Sequence, residues 1–177
     1  YKMSERFLFT GGLHGQVFTL NSASKSIEPR AGMQFKPNAK SAFSLGLGLH
    51  SQMLPSYQYT YQRYDAIGNP LLINEGVGFI RSAHTVLGYD RQLSNNMRLK
   101  VETYYQYLYD VPVEKRSSAF SLADEGSGFS RFFPDSLQNT GTGTNYGIEL
   151  TLEKFFSNHF FFLATGSLYD SKYVGSD

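Results

Sequence analysis

Hydrophobic and polar residues alternate along most of the chain, and this period of two is typical of β-strands rather than helices. The clearest stretch is 42–52, where Phe43, Leu45, Leu47 and Leu49 alternate with small or polar residues. The same pattern, in places less regular, recurs over 7–20, 26–36, 80–93, 98–110, 146–154 and 159–169. The chain is therefore predicted to form seven strands, several of them longer than the roughly five or six residues usual in soluble sheets.

The connections between these strands fall into two classes, short turns and long loops. Short turns are predicted at 37–40, 94–97 and 157–158, whereas 55–79 and 111–144 are long. If the chain reverses at every connection, all three short turns lie at one end of the sheet and both long loops at the other. Outer-membrane β-barrels have this arrangement, with short periplasmic turns and long external loops.

A strand can cross a bilayer when only its alternate residues are apolar, so the lack of an apolar run of eighteen residues does not argue against a membrane. Tyr105, Tyr107 and Tyr109 lie on the apolar side and approach the long-loop end, where barrels carry an aromatic girdle. The alternative, a sandwich core, would need a partner for each buried hydroxyl. We predict an all-β fold, an antiparallel up-and-down transmembrane β-barrel segment that occupies 1–177 as one partial domain.

Composition excludes several classes of function. The chain has 177 residues, a net charge of +1 and no cysteine. It therefore has no disulfide or thiol nucleophile, and no basic excess of the kind that binds nucleic acid. The glycines of 45–50 lack the third glycine and the following helix of a nucleotide fingerprint. We expect no enzyme activity, no catalytic residue, no metal and no cofactor.

Seven segments resemble the barrel of TonB-dependent outer-membrane receptors, in particular the nutrient-uptake type with a carboxypeptidase-like N-terminal extension. They are wall motifs without a catalytic or ligand signature, and they cover most of the chain in the expected order. The segments are SIEPR at 26–30, LGLHSQ at 47–52, SAHTVLGY at 82–89, VETYYQ at 101–106, VPV at 111–113, NYGIELTLE at 145–153 and SLYDSKY at 167–173.

The resemblance implies a Gram-negative transporter with a barrel of about 22 strands around a lumen that a separate domain plugs. Such a protein takes up a scarce nutrient of the siderophore, cobalamin, glycan or peptide class. Its implied partners are outer-membrane lipid, the plug, the remaining barrel strands and, indirectly, the TonB system. The plug and the final strand are missing, so we expect a fragment cut at both ends that self-associates through its strand edges when isolated.

The inward side carries a predicted polar cluster of Glu28, His50 and His84. Symmetric pairing about the turns places Glu28 near His50, and His50 opposite His84. Direct neighbours in a sheet have Cβ atoms about 5 Å apart. We interpret the cluster as a lumen-facing polar network that contacts the plug, and a metal site is the less favoured alternative.

A second inward set has charges of both signs, and salt bridges in a wet interior explain it best. We expect Asp90 to pair with Lys100, and Arg98 to pair with carboxylates from the list Glu102, Glu149 and Glu153.

The long loops contain the candidate ligand contacts. Alternating tyrosines in 57–64 predict that the third strand continues beyond the membrane to a turn near Gly68, Asn69 and Pro70. Exposed Tyr57, Tyr59 and Tyr61 would contact a ligand, or else only pack an extended hairpin. In the second loop, Arg131 begins the segment RFFPD, which we expect to fold onto the barrel mouth.

Two other functions remain open. One is a small lipocalin-like barrel that binds an apolar ligand inside. The other is a complete small adhesin barrel, which the odd number of strands disfavours. Exposure of Phe43, Leu47 and Val101 separates the first alternative from the transporter, because a lipocalin-like protein would bury them.

Overall fold

The computed structural model describes residues 4–124 and 136–177. Seven long strands dominate, and a one-turn helix and two very short strands lie between the third and fourth of them. The elements are β1 (Phe7–Val17), β2 (Lys25–Asn38), β3 (Ser41–Gln52), α1 (Ser56–Tyr59), β4 (Gln62–Tyr64), β5 (Pro70–Leu72), β6 (Ile80–Ser94), β7 (Met97–Glu114), β8 (Leu137–Ser157) and β9 (Phe160–Val174).

The long strands form one antiparallel sheet in the order β1-β2-β3-β6-β7-β8-β9, so each lies beside the next long strand of the chain. This confirms the all-β class and the seven predicted strands. The predicted short turns are also present, and Asn158 and His159 both have positive φ, as a type I′ hairpin turn requires. No helix in the described ranges is long and apolar enough to cross a membrane.

The second long loop is shorter than predicted. β7 runs on to Glu114 and β8 begins at Leu137, so the connection is 115–136 and not 111–144. The register between the two strands shifts after Leu108, next to Asp110, whose φ is +54°. The shift interrupts the alternation that marks a strand in the sequence, although pairing resumes beyond it.

The cross-strand register gives the sheet two different faces. On one face, which we call the apolar face, a single row crosses all seven strands. The row consists of Phe9, Met33, Leu45, Leu87, Thr103, Ile148 and Leu168. Phe43 is 49% exposed and Leu47 is 47% exposed, and Val101 is partly buried. The apolar face is therefore uncovered.

The hydrophobic core lies at the long-loop end. Leu54, Tyr59, Val77 and Leu137 are buried together, and Val111 and Val113 are fully buried. These residues come from the loops and from the strand ends that adjoin them. The apolar face of the sheet is thus not part of this core.

The predicted continuation of the third strand through 57–64 was wrong. β3 ends at Gln52, and residues Ser56–Tyr59 form the helical turn α1. Tyr59 turns inward, where its ring lies 4.9 Å from that of Phe18 and its hydroxyl accepts a hydrogen bond from the Leu54 amide at 3.2 Å. Burial of this large ring outweighs the local alternation.

The predicted turn near Gly68 is confirmed as the tip of the β4–β5 hairpin. Gly68 has a φ of +88°, and Asp65 Oδ1 accepts hydrogen bonds from the Ile67 amide at 2.9 Å and the Asn69 amide at 2.8 Å. Hydrogen bonds from the backbone and then the side chain of Asn69 hold the pKa of the Asp65 carboxyl below its ordinary value. The ionised carboxylate therefore stabilises the turn.

Candidate functional site

The second face of the sheet, which we call the polar face, contains the predicted polar cluster. Its rows also cross the strands, and one of them consists of Arg30, Gly48, His84, Gln106, Asn145 and Ser171. In this row Asn145 Nδ2 donates a hydrogen bond to Gln106 Oε1 at 3.0 Å. The row combines cationic, imidazole and amide groups, which suits contact with water or polar protein surfaces.

Glycines on the polar face provide space for neighbouring rings. A Cβ atom at Gly48 would lie 2.7 Å from His50 Nε2, and one at Gly147 would lie 3.0 Å from the Tyr104 hydroxyl. These side chains occupy the space that a larger residue would fill, so they lie close to the sheet instead of projecting from it. The polar face therefore projects little above the backbone of the sheet at the rings of His50 and Tyr104.

His50 and His84 contact each other, but not in the predicted register. His50 lies opposite Ser82, and His84 lies opposite Gly48, so the prediction of direct pairing was wrong by two residues. A shift of two keeps both side chains on the same face, and their ring centroids are 6.1 Å apart at 72°. The His84 ring also lies 6.4 Å from the ring of Tyr104.

Glu28 is the most highly connected polar side chain of the face, and it is only 2% exposed. The β2–β3 ladder ends at the pair of Arg30 and Gly48. Beyond this pair, the Glu28 carboxylate accepts a hydrogen bond from the Ser51 amide at 3.0 Å. In a regular ladder a backbone carbonyl would accept that bond. Its further contacts are His14 Nδ1 at 3.1 Å, Gln16 Nε2 at 3.0 Å, Ser26 Oγ at 3.1 Å, Arg30 at 2.9 Å and Ser51 Oγ at 2.6 Å.

Glu28 therefore joins β1, β2 and β3 at the long-loop end. Both of its oxygens are engaged, so it is not a free ligand for a cation. Across the described ranges, no group of three or more histidine or acidic side chains is placed to hold a metal ion. Sequence reasoning missed His14, although it lies directly opposite Glu28. Gln16 lies opposite Ser26 and Ser51 lies beyond the end of the β2–β3 ladder, so the register gave no comparable signal for them.

The second charged set forms salt bridges among its members, as predicted, but the individual partners differ from those expected. Asp90 does lie opposite Lys100 in the register, but both of its oxygens accept hydrogen bonds from the Arg98 guanidinium. Lys100 instead pairs with Glu102 at 2.5 Å. The forked guanidinium can bind both carboxylate oxygens at once, which favours the diagonal contact over the direct one.

Tyrosines occupy the apolar face at the long-loop end. Tyr105 is 50% exposed and Tyr107 is 41% exposed, and the rings of Tyr107 and Tyr109 stack with centroids 6.2 Å apart. On the adjoining strand, the Tyr146 hydroxyl donates to Asp170 Oδ2 at 2.7 Å. These exposed positions do not fit a sandwich core, which would bury the rings.

Of the predicted ligand contacts in the loops, the structure describes only the three tyrosines. Tyr57 and Tyr61 are partly buried, and Tyr59 is inside the loop core. Arg131 and the segment 131–135 lie outside the described residues. Ligand contact by Tyr57, Tyr61 and Arg131 stays a prediction.

Comparison with known proteins finds similarity to this sheet among solved structures. No protein-family model and no curated protein matches the chain. The FrpB iron transporter from Neisseria meningitidis (F3-3 variant) is similar to it, with 18% sequence identity and a TM-score of 0.52. The two share a fold. The match covers 85% of this chain and 20% of the transporter, so the chain spans about a fifth of the length of that protein.

Proposed function

We propose that the chain is part of the barrel wall of a TonB-dependent transporter in the outer membrane. One observation carries this proposal, namely that the sheet has an uncovered apolar face and an opposite polar face across all seven long strands. Large exposed apolar surfaces on a soluble protein favour association, whereas hydrocarbon solvates them. A β-sheet closed into a barrel also satisfies its backbone hydrogen bonds within the membrane.

The dimensions of the apolar face support a transmembrane wall. From Leu99 to Tyr107 the strand β7 extends roughly 27 Å along its own axis, at about 3.4 Å per residue. With a strand tilt of about 40°, this corresponds to roughly 20 Å along the membrane normal, close to the apolar band of about 25 Å in such barrels. The tyrosines mark the end of the band that faces the long loops.

The lipocalin-like alternative is not supported. It requires a closed sheet with its apolar side chains inside, but Phe43 and Leu47 are nearly half exposed. Within the described residues, β1 and β9 form the two edges of an open sheet. Both edges are free to pair with further strands, which agrees with the proposal that the chain is one section of a wider wall.

The proposed partners are outer-membrane lipid, further barrel strands beside β1 and β9, and a plug domain against the polar face. The TonB system would act on the plug and so only indirectly on this chain. The similar solved structure is an iron transporter, which favours nutrient uptake without identifying the nutrient. In this role the chain is not an enzyme, because its side chains contact lipid, plug and passing ligand without reacting.

Single cysteines can test the proposal because the chain contains none. We would label Leu87→Cys and Val86→Cys, which are adjacent on β6, and Val101→Cys and Glu102→Cys on β7, with an environment-sensitive fluorophore. The whole barrel protein that contains the chain, with any cysteine outside the chain replaced, is then folded into liposomes. We expect a lipid-soluble quencher to act on positions 87 and 101, and aqueous iodide to act on 86 and 102. Equal quenching of both members of each pair would disprove the transmembrane arrangement.

A further inference from the structure

A groove interrupts the apolar face between the central row and the short turns. An aromatic row crosses four strands here, and its rings form two contacting pairs. The row consists of Phe7, Phe35, Phe43 and Tyr89, and Val101 is next in the same row. The change from large rings to a smaller side chain leaves a groove of about 440 Å³. Its walls include Met33, Phe35, Phe43, Leu45, Leu87 and Val101.

One cation lies at the short-turn end of the groove. Arg91 is two residues beyond Tyr89 on β6, and its guanidinium donates a hydrogen bond to the Tyr89 hydroxyl at 3.3 Å. The Arg91 side chain is exposed, and it forms no salt bridge with a described carboxylate. The strands β3, β6 and β7, which the structure describes in full, place no acidic residue on this half of the apolar face. The guanidinium therefore has donors left for an anion from outside the chain.

Arg91 lies at the depth of lipid phosphate groups in the proposed wall. It is opposite Leu99, where the apolar band of β7 begins. Four residues separate it from Leu87 in the central row, which corresponds to roughly 10 Å along the membrane normal at about 3.4 Å per residue and a tilt of about 40°. The edge of an apolar band about 25 Å tall is roughly 12 Å from its centre. A long arginine side chain extends to that edge.

We propose that the groove and Arg91, together called the lipid groove, bind one anionic phospholipid of the leaflet on the short-turn side. The planar guanidinium can bind two phosphate oxygens at once, and an acyl chain would fill the space beside Phe43 and Val101. A zwitterionic lipid also brings an ammonium group, for which this half of the face offers no carboxylate on β3, β6 or β7. This inference rests on the proposed function in one respect, which is that the apolar face meets lipid.

Quenching by brominated lipid measures binding at this one position. The whole barrel protein that is proposed to contain the chain, with its other cysteines replaced, carries a bimane label at Leu150→Cys, opposite Val101. It is folded into liposomes of phosphatidylethanolamine with increasing brominated phosphatidylglycerol. We expect the anionic lipid to bind about three- to tenfold more strongly, as for one arginine near anionic headgroups. R91Q should reduce this preference to less than about twofold. Equal binding of the two lipids by the natural sequence would overturn the proposal.

Lys154 provides the matched control because it is a second cation on the same face and at the same end. It is two residues beyond Leu152, which shares a row with Leu99 and Arg91. Its ammonium is already bound, since it donates to Ser157 Oγ at 2.6 Å and to the Ser157 carbonyl at 3.0 Å. K154Q should therefore change the lipid preference by less than about twofold. Equal loss in R91Q and K154Q would indicate general attraction to positive charge and would refute a specific site.

Two outcomes would assign the lipid groove to another occupant, and either would overturn the proposal. If soluble glycerol phosphate abolishes the lipid preference, the acyl chain contributes nothing and Arg91 is a simple anion site. If Leu87→Cys forms a disulfide with a second copy in most molecules of the native membrane, another barrel covers the groove. Should the preference be absent while a label at position 87 is still quenched from the lipid, only this inference fails. Should that label not be quenched, the transmembrane wall itself is disproved.

Discussion

Replacement of Leu87 by arginine tests whether the apolar face meets hydrocarbon. Leu87 lies in the central row of this face, between Leu45 and Thr103, and it is 51% exposed. In water only the buried half of the side chain would be lost, which costs about 1 kcal/mol. At the centre of a bilayer, arginine on the lipid face of a barrel costs about 2–4 kcal/mol.

The neighbouring residue provides the matched control. Val86 is on the polar face, opposite Gly46 and Tyr104, and the missing side chain of Gly46 leaves space for a longer residue. We expect Val86→Arg to change the free energy of unfolding by no more than about 1 kcal/mol, because its charge stays in water. Leu87→Ala separates loss of packing from the cost of the charge.

Urea unfolding of the whole barrel protein that is proposed to contain the chain, folded into liposomes, measures these differences, with the free energy of unfolding obtained by linear extrapolation. The expected order of destabilisation is Leu87→Arg, then Leu87→Ala, then Val86→Arg. If the two arginine variants differ by less than about 0.5 kcal/mol, Leu87 is not in hydrocarbon. The assignment of the apolar face to lipid would then be wrong.

Three more predictions concern Glu28, the glycines and the β4–β5 hairpin. Glu28→Ala should lower the free energy of unfolding by about 1–3 kcal/mol, because it leaves partly buried donors on three strands without their acceptor; an unchanged urea midpoint would contradict this role. Gly147→Ala should destabilise by about 1–3 kcal/mol, because its Cβ would lie 2.7 Å from a backbone oxygen of β9, whereas Gly12→Ala, with open space around it, should be neutral. The lowered pKa of Asp65 means that its contribution is complete above the ordinary pKa and is lost as the pH falls through the folded value. The protection factors of the hairpin amides against hydrogen exchange should then fall in acid for the natural chain and not for Asp65→Asn.

The alternation of residues was enough to predict the seven strands, the two faces and the positions of the short turns. These features depend on local physics. The side-chain period of a strand is two, so the face of Leu45 or Leu87 follows from its neighbours. Turn residues such as Asn158 favour the backbone that a tight hairpin needs. Even an error of two residues in register left His50 and His84 on the same face.

Only the tertiary structure decided which side chains meet. Arg98 binds Asp90 and not its direct neighbour Glu153, because the geometry of the guanidinium outweighs the position in the ladder. The Glu28 carboxylate accepts hydrogen bonds from Ser51 where the β2–β3 ladder has ended, and no local sequence pattern marks that end. Tyr59 is buried although its neighbours alternate like a strand. Each of these outcomes depends on residues distant in sequence, whose contact energies appear only after the chain has folded.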